Sequence, residues 1–238
     1  MKLDLYHAWV SSASRKVRLC LAEKGVLWES HPLDLATFDH HQDWYKALNP
    51  SGIVPALLVD SKPLVESNFI NEWLDETFAG PRLRPADPTQ RHDMRLWAKY
   101  IDEHCLPAVQ KHNWMILFHP FARKWSDAEL EARLAVIPTE ERRKTWRRMA
   151  REPYSAAELE AALDVLRDMM DRIEVRLQDR DWLVGDRFGL ADIAAAPYVV
   201  RFCEIAPTEA DARPRAAEWW QRMRARRSFA EAVMEPFA

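Results

Sequence analysis

Three serines, Ser11, Ser12 and Ser14, fall within four positions where a short strand pattern gives way to a helical one. A serine there caps the first turn of the helix. One hydroxyl satisfies that need and three exceed it, although capping alone stays open as an explanation. A second group follows in Asn49-Pro50-Ser51-Gly52-Ile53-Val54-Pro55. A rigid proline at a strand start accounts for it structurally. A cis Val54-Pro55 bond would instead turn the Val54 N–H and C=O outward, where an extended peptide could pair with them as an added strand. Glu66 and Ser67 stand at the next helix start. There a hydroxyl, backbone N–H groups and the positive helix end suit a carboxylate, and Glu66 suits an ammonium. A peptide carrying both groups at one end fits that arrangement.

These residues need a scaffold, and the periodicities supply one. Leu3 to Tyr6 alternates as a strand, and Ser12 to Lys24 is helical until Gly25 stops it. Trp28 to Leu33 reads as a second strand, and Asp39 to Leu48 as a short helix ended by Asn49-Pro50. Pro55 to Val59 and Lys62 to Val65 form a hairpin through Asp60-Ser61. Ser67 to Phe78 is helical, with Phe69, Ile70, Trp73, Leu74 and Phe78 at helical spacing. This βαβ-α-ββα order predicts a compact mixed sheet with helices on its faces. Ala79 to Pro88 reads as a linker. Beyond it the pattern is helical throughout: Thr89 to about Phe118, Ser155 to Leu177, Leu190 to Cys203 and Pro214 to Arg226. Phe121 to Pro153 is charged and shows no clear element. Units of 1–79 and 89–238 are expected.

Composition narrows the function classes. A net charge of −3 over 238 residues gives no general pull toward nucleic acid or anionic membrane. Five glycines disfavour a Gly-rich phosphate cradle. The basic run from Arg142 to Arg151 follows Glu140 and Glu141 and reads as a solvated helix face. Three isolated cysteines, Cys20, Cys105 and Cys203, argue against a disulfide framework and fit a reducing cytoplasm. The eight histidines lack metal-ligand spacing, so no metal is expected. No stretch has the length of a signal peptide core or a membrane span.

The chain resembles the glutathione transferase superfamily over nearly its whole length. LYHAWVSSASRKVRLCLAEKG (5–25), NPSGIVPAL (49–57), LVESNFINEWL (64–74) and WLVGDRFGLADI (182–193) match family motifs in order and spacing. The resemblance implies an α/β thioredoxin-like N-terminal domain, an all-α helical C-terminal domain and a homodimer. It implies glutathione as co-substrate and a small hydrophobic electrophile as partner. Ser11 matches the catalytic serine of the serine-type classes, with Ser12 and Ser14 as close substitutes. Val54, beside Pro55, matches the residue that pairs with the cysteinyl backbone. Glu66 and Ser67 match those holding the γ-glutamyl end. His40, with His41 beside it, matches a contact to the glycyl carboxylate, and a solvated helix start is its plainer reading. The electrophile would sit against Trp9 and a wall of Trp114, Met115 and Phe118, although such a stripe is more often core.

A thioredoxin-like fold would carry its redox cysteines two residues apart near this turn. Ser11 and Ser14 have that spacing without sulfur, so the thiol must come from the substrate. A thiol of pKa ~8.5 is only a few per cent thiolate at neutral pH. Lowering that by ~2 units takes about 2.7 kcal/mol. One hydrogen bond to the anion supplies ~1.5–3 kcal/mol and a helix N-terminus ~0.3–1 more. His40 to Trp44, RPADPTQR (84–91) and IPTEERRKTWRRM (137–149) most resemble the bacterial glutathione-dependent β-aryl etherases and their fungal relatives. A non-catalytic glutathione-binding protein on the same fold is the competing expectation, and the serine-rich turn favours the enzyme. One departure is Gly189, where the family usually has Ser or Thr opening a capping box with Asp192. Glycine keeps backbone freedom there and loses one accepted hydrogen bond.

Overall fold

The computed structural model describes residues 1–232. Residues 233–238, expected in the second unit, lie outside the described residues. Strand β1 (Leu3–His7) buries every second side chain, Leu3, Leu5 and His7. It pairs in parallel with β2 (Glu29–Pro32) and antiparallel with β3 (Ala56–Val59), which pairs with β4 (Lys62–Val65). The sheet order is β2-β1-β3-β4. Asp60 and Ser61 turn the hairpin with φ of 46° and 73°, matching the right-handed strand twist. The second strand is shorter than the expected Trp28 to Leu33.

The pleat divides the side chains between two faces. Leu3, Leu5 and Leu57 join the main core with α1 (Ser12–Lys24) and α3 (Ser67–Thr77). Tyr6 and Ala56 belong to a smaller cluster with Leu33 and Tyr45 of α2 (Asp43–Lys46). The expected helix over 39–48 is split into a 3-10 turn (Asp39–His41) and α2. The register has a direct consequence for function. His7 lies beside Pro32, Tyr6 opposite Ala56, and Ala56 opposite Val65. The segments after β1, after β2, before β3 and after β4 therefore all leave the sheet at one end. Every residue proposed for peptide binding lies on one of those four segments.

The linker is held by one carboxylate. Buried Asp75 accepts from the Leu83 N–H at 2.8 Å, the Arg84 N–H at 3.1 Å and Lys24 Nζ at 3.1 Å. The helical path expected from Thr89 to Phe118 is α4 (Pro88–Tyr100) and α5 (Leu106–Asn113), with wider π turns at Ile101–Cys105 and Trp114–Phe118. Each π turn contains the residue four before a proline: Glu103 for Pro107 and Ile116 for Pro120. A proline ring collides with that carbonyl in a regular helix, and the wider turn makes room.

The charged stretch without a clear element folds as α6 (His119–Ala122), α7 (Asp127–Leu134) and α8 (Glu140–Arg151). Ser126 and Glu129 cap α7 reciprocally. Leu130, Leu134, Ile137, Trp146 and Met149 build a second core with Phe118 and with Phe38 from the first unit. Helix α9 (Ala156–Arg176) starts at a second reciprocal cap, Ser155 with Glu158. It packs near α10 (Leu190–Ile205), which is buried along almost its whole length, and α11 (Pro214–Arg224). Helix α12 (Arg227–Glu231) returns to α1, where Arg226 grips Glu23 with two bonds of 2.6 and 2.7 Å.

The α10 start corrects the expectation for Gly189. Its φ of −158° is ordinary extended backbone, so conformational freedom is not the reason for glycine. A Cβ there would lie 2.5 Å from the Leu83 carbonyl oxygen, which accepts the Leu190 N–H at 3.0 Å. Close approach of the linker excludes a side chain.

Candidate active site

At the sheet end, Ser11 caps α1 in extended conformation, and its Oγ accepts the Ser14 N–H at 3.2 Å. That bond uses a lone pair and leaves the hydroxyl proton to donate outward. Ser11 is half-buried, whereas Ser12 and Ser14 are buried. Ser14 Oγ accepts the Ala8 N–H at 3.3 Å and so ties the turn to the strand end. Ser12 Oγ is buried and has no partner among the described residues. The first-turn amides of α1 have no intrahelical acceptors, so the mouth is electropositive.

Buried cations stand behind the turn. Arg15 donates to the Trp9 carbonyl at 3.3 Å, and Arg18 donates to the Ala8 and Trp9 carbonyls at 3.2 Å each. Arg18 also donates to His7 Nδ1 at 3.2 Å, so the proton of His7 sits on Nε2 and is donated to Ser30 Oγ at 2.8 Å. Burial, with Arg18 beside it, pushes His7 down to about 3, so the ring is neutral. Trp9 is 44% exposed above the Arg18 guanidinium, 4.8 Å away.

The Val54–Pro55 bond is cis. Tyr45 Oη and Asn49 Nδ2 each donate to the Ile53 carbonyl at 2.7 Å, fixing the loop beside it. At the end of β4, exposed Glu66 has φ 68° and buried Ser67 opens α3. The second unit reaches this corner. Fully buried Lys16 donates to Asn68 Oδ1 at 3.1 Å and to Asp102 Oδ1 at 2.8 Å, and Asn68 donates to Asp102 Oδ2 at 2.7 Å. Burial lowers the Lys16 pKa, while Asp102 and Glu66 oppose that shift. Lys16, Asn68 and Asp102 were not singled out from sequence. Lys16 is fully buried on a largely enclosed helix, a signal visible only once α1 is known to be enclosed.

On the remaining edge, the rings of His40 and His41 lie 3.9 Å apart. Burial, then the nearby Arg142, pushes His40 down to about 4. Burial, His40 and Arg142 hold His41 at about 3. Both are neutral near pH 7. Arg142 of α8 donates to the Ser51 carbonyl and to the Gly52 carbonyl. Trp114 and Phe118 pack against Trp146, with ring centroids 5.1 and 5.3 Å away, so both belong to the second core. Met115 is half-buried on the same π turn. Elsewhere, Asp4, Glu29 and His31 bring three ligand atoms within 4.8 Å, but Lys2 Nζ already bridges the two carboxylates at 2.8 and 3.0 Å.

A small mixed sheet with α1 and α3 on one face, joined to a helical unit, defines a protein with a thioredoxin-like N-terminal domain and an all-helical C-terminal domain. The family model for the glutathione S-transferase N-terminal domain matches residues 10–77, and that for the C-terminal domain matches residues 107–227. Protein LigF of Sphingobium sp. strain SYK-6 is 37% identical over 196 residues, covering 81% of this chain and 76% of LigF. Glutathione S-transferase 3 of Zea mays is 31% identical, covering 97% of this chain and 93% of that protein. The solved structure of β-etherase LigF superposes with a TM-score of 0.87 at 33% identity, covering 98% of both chains. The chain belongs to the glutathione S-transferase family, and it is a glutathione-using transferase. Among the described residues, no helix is long and apolar enough to cross a membrane.

Proposed function

We propose that glutathione lies extended along the sheet end and that Ser11 donates its hydroxyl proton to the sulfur anion. Val54, next to Pro55, pairs with the cysteinyl backbone through its N–H and C=O. Glu66 and Ser67 hold the γ-glutamyl ammonium and carboxylate, with Asp102 closing that corner from the second unit. Ser14 shapes the turn, and Ser12 offers a second hydroxyl beneath it. His40 closes the glycyl side as a neutral hydrogen-bond partner. The observation that carries this reading is the Ser11 hydroxyl: it caps a helix through its oxygen and keeps its proton for an anion in an electropositive mouth.

The similarity to β-etherase LigF supports an aromatic electrophile, with aryl-ether cleavage as the reaction. The thiolate forms a C–S bond at the ether carbon as the C–O bond breaks, and the electron pair leaves with the phenolate. Trp9 and Met115, with the half-buried Trp114 beside them, flank the space for that ring, and buried Phe118 backs the wall from the second core. Units of 1–79 and 89–238 divide the labour between thiol binding and electrophile binding. A homodimer in the cytoplasm is the assembly and location we infer.

The decisive experiment titrates the bound thiol by its ultraviolet thiolate absorbance in wild type and Ser11→Ala, alongside turnover of a β-aryl ether model compound. The expected result is a bound thiol pKa near 6–7 that rises by about one to two units in the variant. Loss of activity in Ser14→Ala with none in Ser11→Ala would move the role along the turn. Thiol conjugation of other aromatics without ether cleavage would restrict the proposed chemistry to transfer.

A further inference from the structure

The basic run on α8 contains one arginine that differs from its neighbours. Arg143 pairs with Glu140 at 2.8 Å, and Arg147 with Glu131 at 2.7 Å and Glu140 at 2.9 Å. Arg148 pairs with Glu158 at 2.5 Å and Arg151 with Asp127 at 2.8 Å. Arg142 has no carboxylate partner among the described residues. It is half-buried, and its Nη1 alone is engaged, on the Ser51 and Gly52 carbonyls. A guanidinium carries five donors in a planar fork suited to a carboxylate. This one is aimed at the loop two to three residues before Val54.

We propose that Arg142 binds the glycyl carboxylate of glutathione, making the inserted helix α8 part of the co-substrate site. The inference rests on the binding mode proposed above. With the cysteinyl backbone on Val54 and the γ-glutamyl end at Glu66 and Ser67, the third residue must point the other way, toward the loop that Arg142 touches. Adjacent Cα atoms are ~3.8 Å apart, so the terminal carboxylate lies within a long side chain's reach of the Val54 pairing position. Other polar groups on that edge are His40 and His41, whose Nδ1 atoms are buried without partners among the described residues, and Lys46, whose charge bears on His41 but which pairs with Asp43 at 2.9 Å. The neutral histidine rings donate hydrogen bonds but supply no fixed charge at neutral pH. Arg142 is the cation on that edge that has no carboxylate partner among the described residues, whereas Lys46 is paired with Asp43. A charge-assisted bidentate pair in a half-buried setting is among the stronger polar contacts a protein makes.

The test compares glutathione with its glycinamide analogue, which keeps everything but the terminal charge. Calorimetric titration of wild type, Arg142→Gln and Arg142→Lys gives six affinities, with thermal melting as a check on folding. Wild type is expected to prefer the free acid by about tenfold to a hundredfold. In Arg142→Gln that preference collapses to within about twofold while affinity for the amide is unchanged, and Arg142→Lys retains part of it. Equal wild-type affinity for acid and amide overturns the assignment. So does an equal loss for both ligands in Arg142→Gln, which would make the residue a staple for the 51–52 loop. If wild type binds neither ligand, the tripeptide reading itself is wrong, an outcome separate from the other two.

Discussion

Two helix mouths in this molecule meet the same electrostatic demand in opposite ways. At the start of α10, buried Asp192 accepts the Gly189 N–H at 3.0 Å, the Leu183 N–H at 3.0 Å and Trp219 Nε1–H at 2.8 Å. That mouth carries its own anion and is sealed. At the start of α1 there is no acidic residue in the first turn; there are serines, and Arg15 and Arg18 are buried behind them. That mouth is open and electropositive. A helix N-terminus favours negative charge wherever it lies. Supplying the anion from within the chain makes a structural joint, and leaving the position for a ligand makes a site.

The sealed mouth is where substitution should cost most. Asp192→Ala strands three buried donors and is expected to lose about 3–5 kcal/mol of stability, measured by urea unfolding. A loss as small as that of a surface substitution would show that the α10 mouth is not the joint described. Next in size is acidification. His7, His40 and His41 have folded pKa values of about 3, 4 and 3, below the ordinary 6.5. Their stabilisation is complete above 6.5 and is lost as pH falls toward 3–4, because the unfolded chain takes up the protons first. Asp192 acts with opposite sign: burial raises it to about 6, so its contribution improves as pH falls from 6 toward 4. Three groups outweigh one, and unfolding at pH 5 is expected to need a few kcal/mol less than at pH 7.5. A flat profile would mean that these rings are hydrated and only nominally buried.

The same contrast marks what could be read from sequence. The helix cap at Ser11, the cis bond at Val54–Pro55 and the helix start at Ser67 are legible in sequence because turn chemistry and helix starts are local. The βαβ-α-ββα order then brings them to one sheet end through register alone. Lys16 and Asp102 are 86 positions apart and meet only through tertiary packing. Arg142 looked like one more charge on a solvated face, since its neighbours' acids are spread from Asp127 to Glu158. The α6–α8 segment hid for a similar reason. Its apolar residues Leu130, Leu134, Trp146 and Met149 are spaced for helices, but Arg and Glu fill the positions between them. The reciprocal Ser126 and Glu129 cap was the local signal that could have exposed it. Gly189 shows the reverse error: a glycine read as backbone freedom is there because another carbonyl passes too close.

The smallest stability effect is expected at the open mouth, and it separates the two kinds of helix start most cleanly. Ser11→Ala removes one cap hydrogen bond from a half-exposed position, a loss of about 1 kcal/mol in urea unfolding. Its effect on the bound thiol should be larger than on the fold, because the hydroxyl proton has no acceptor among the described residues to lose. Saturating glutathione should therefore stabilise wild type more than the variant at pH 8, where the bound thiolate dominates. At pH 5 the gap should narrow as the thiol takes up its proton. Thermal shift at both pH values reads this directly. An equal ligand-induced shift in both proteins at pH 8 would place the sulfur beyond Ser11 and leave its hydroxyl a cap like those of Ser126 and Ser155.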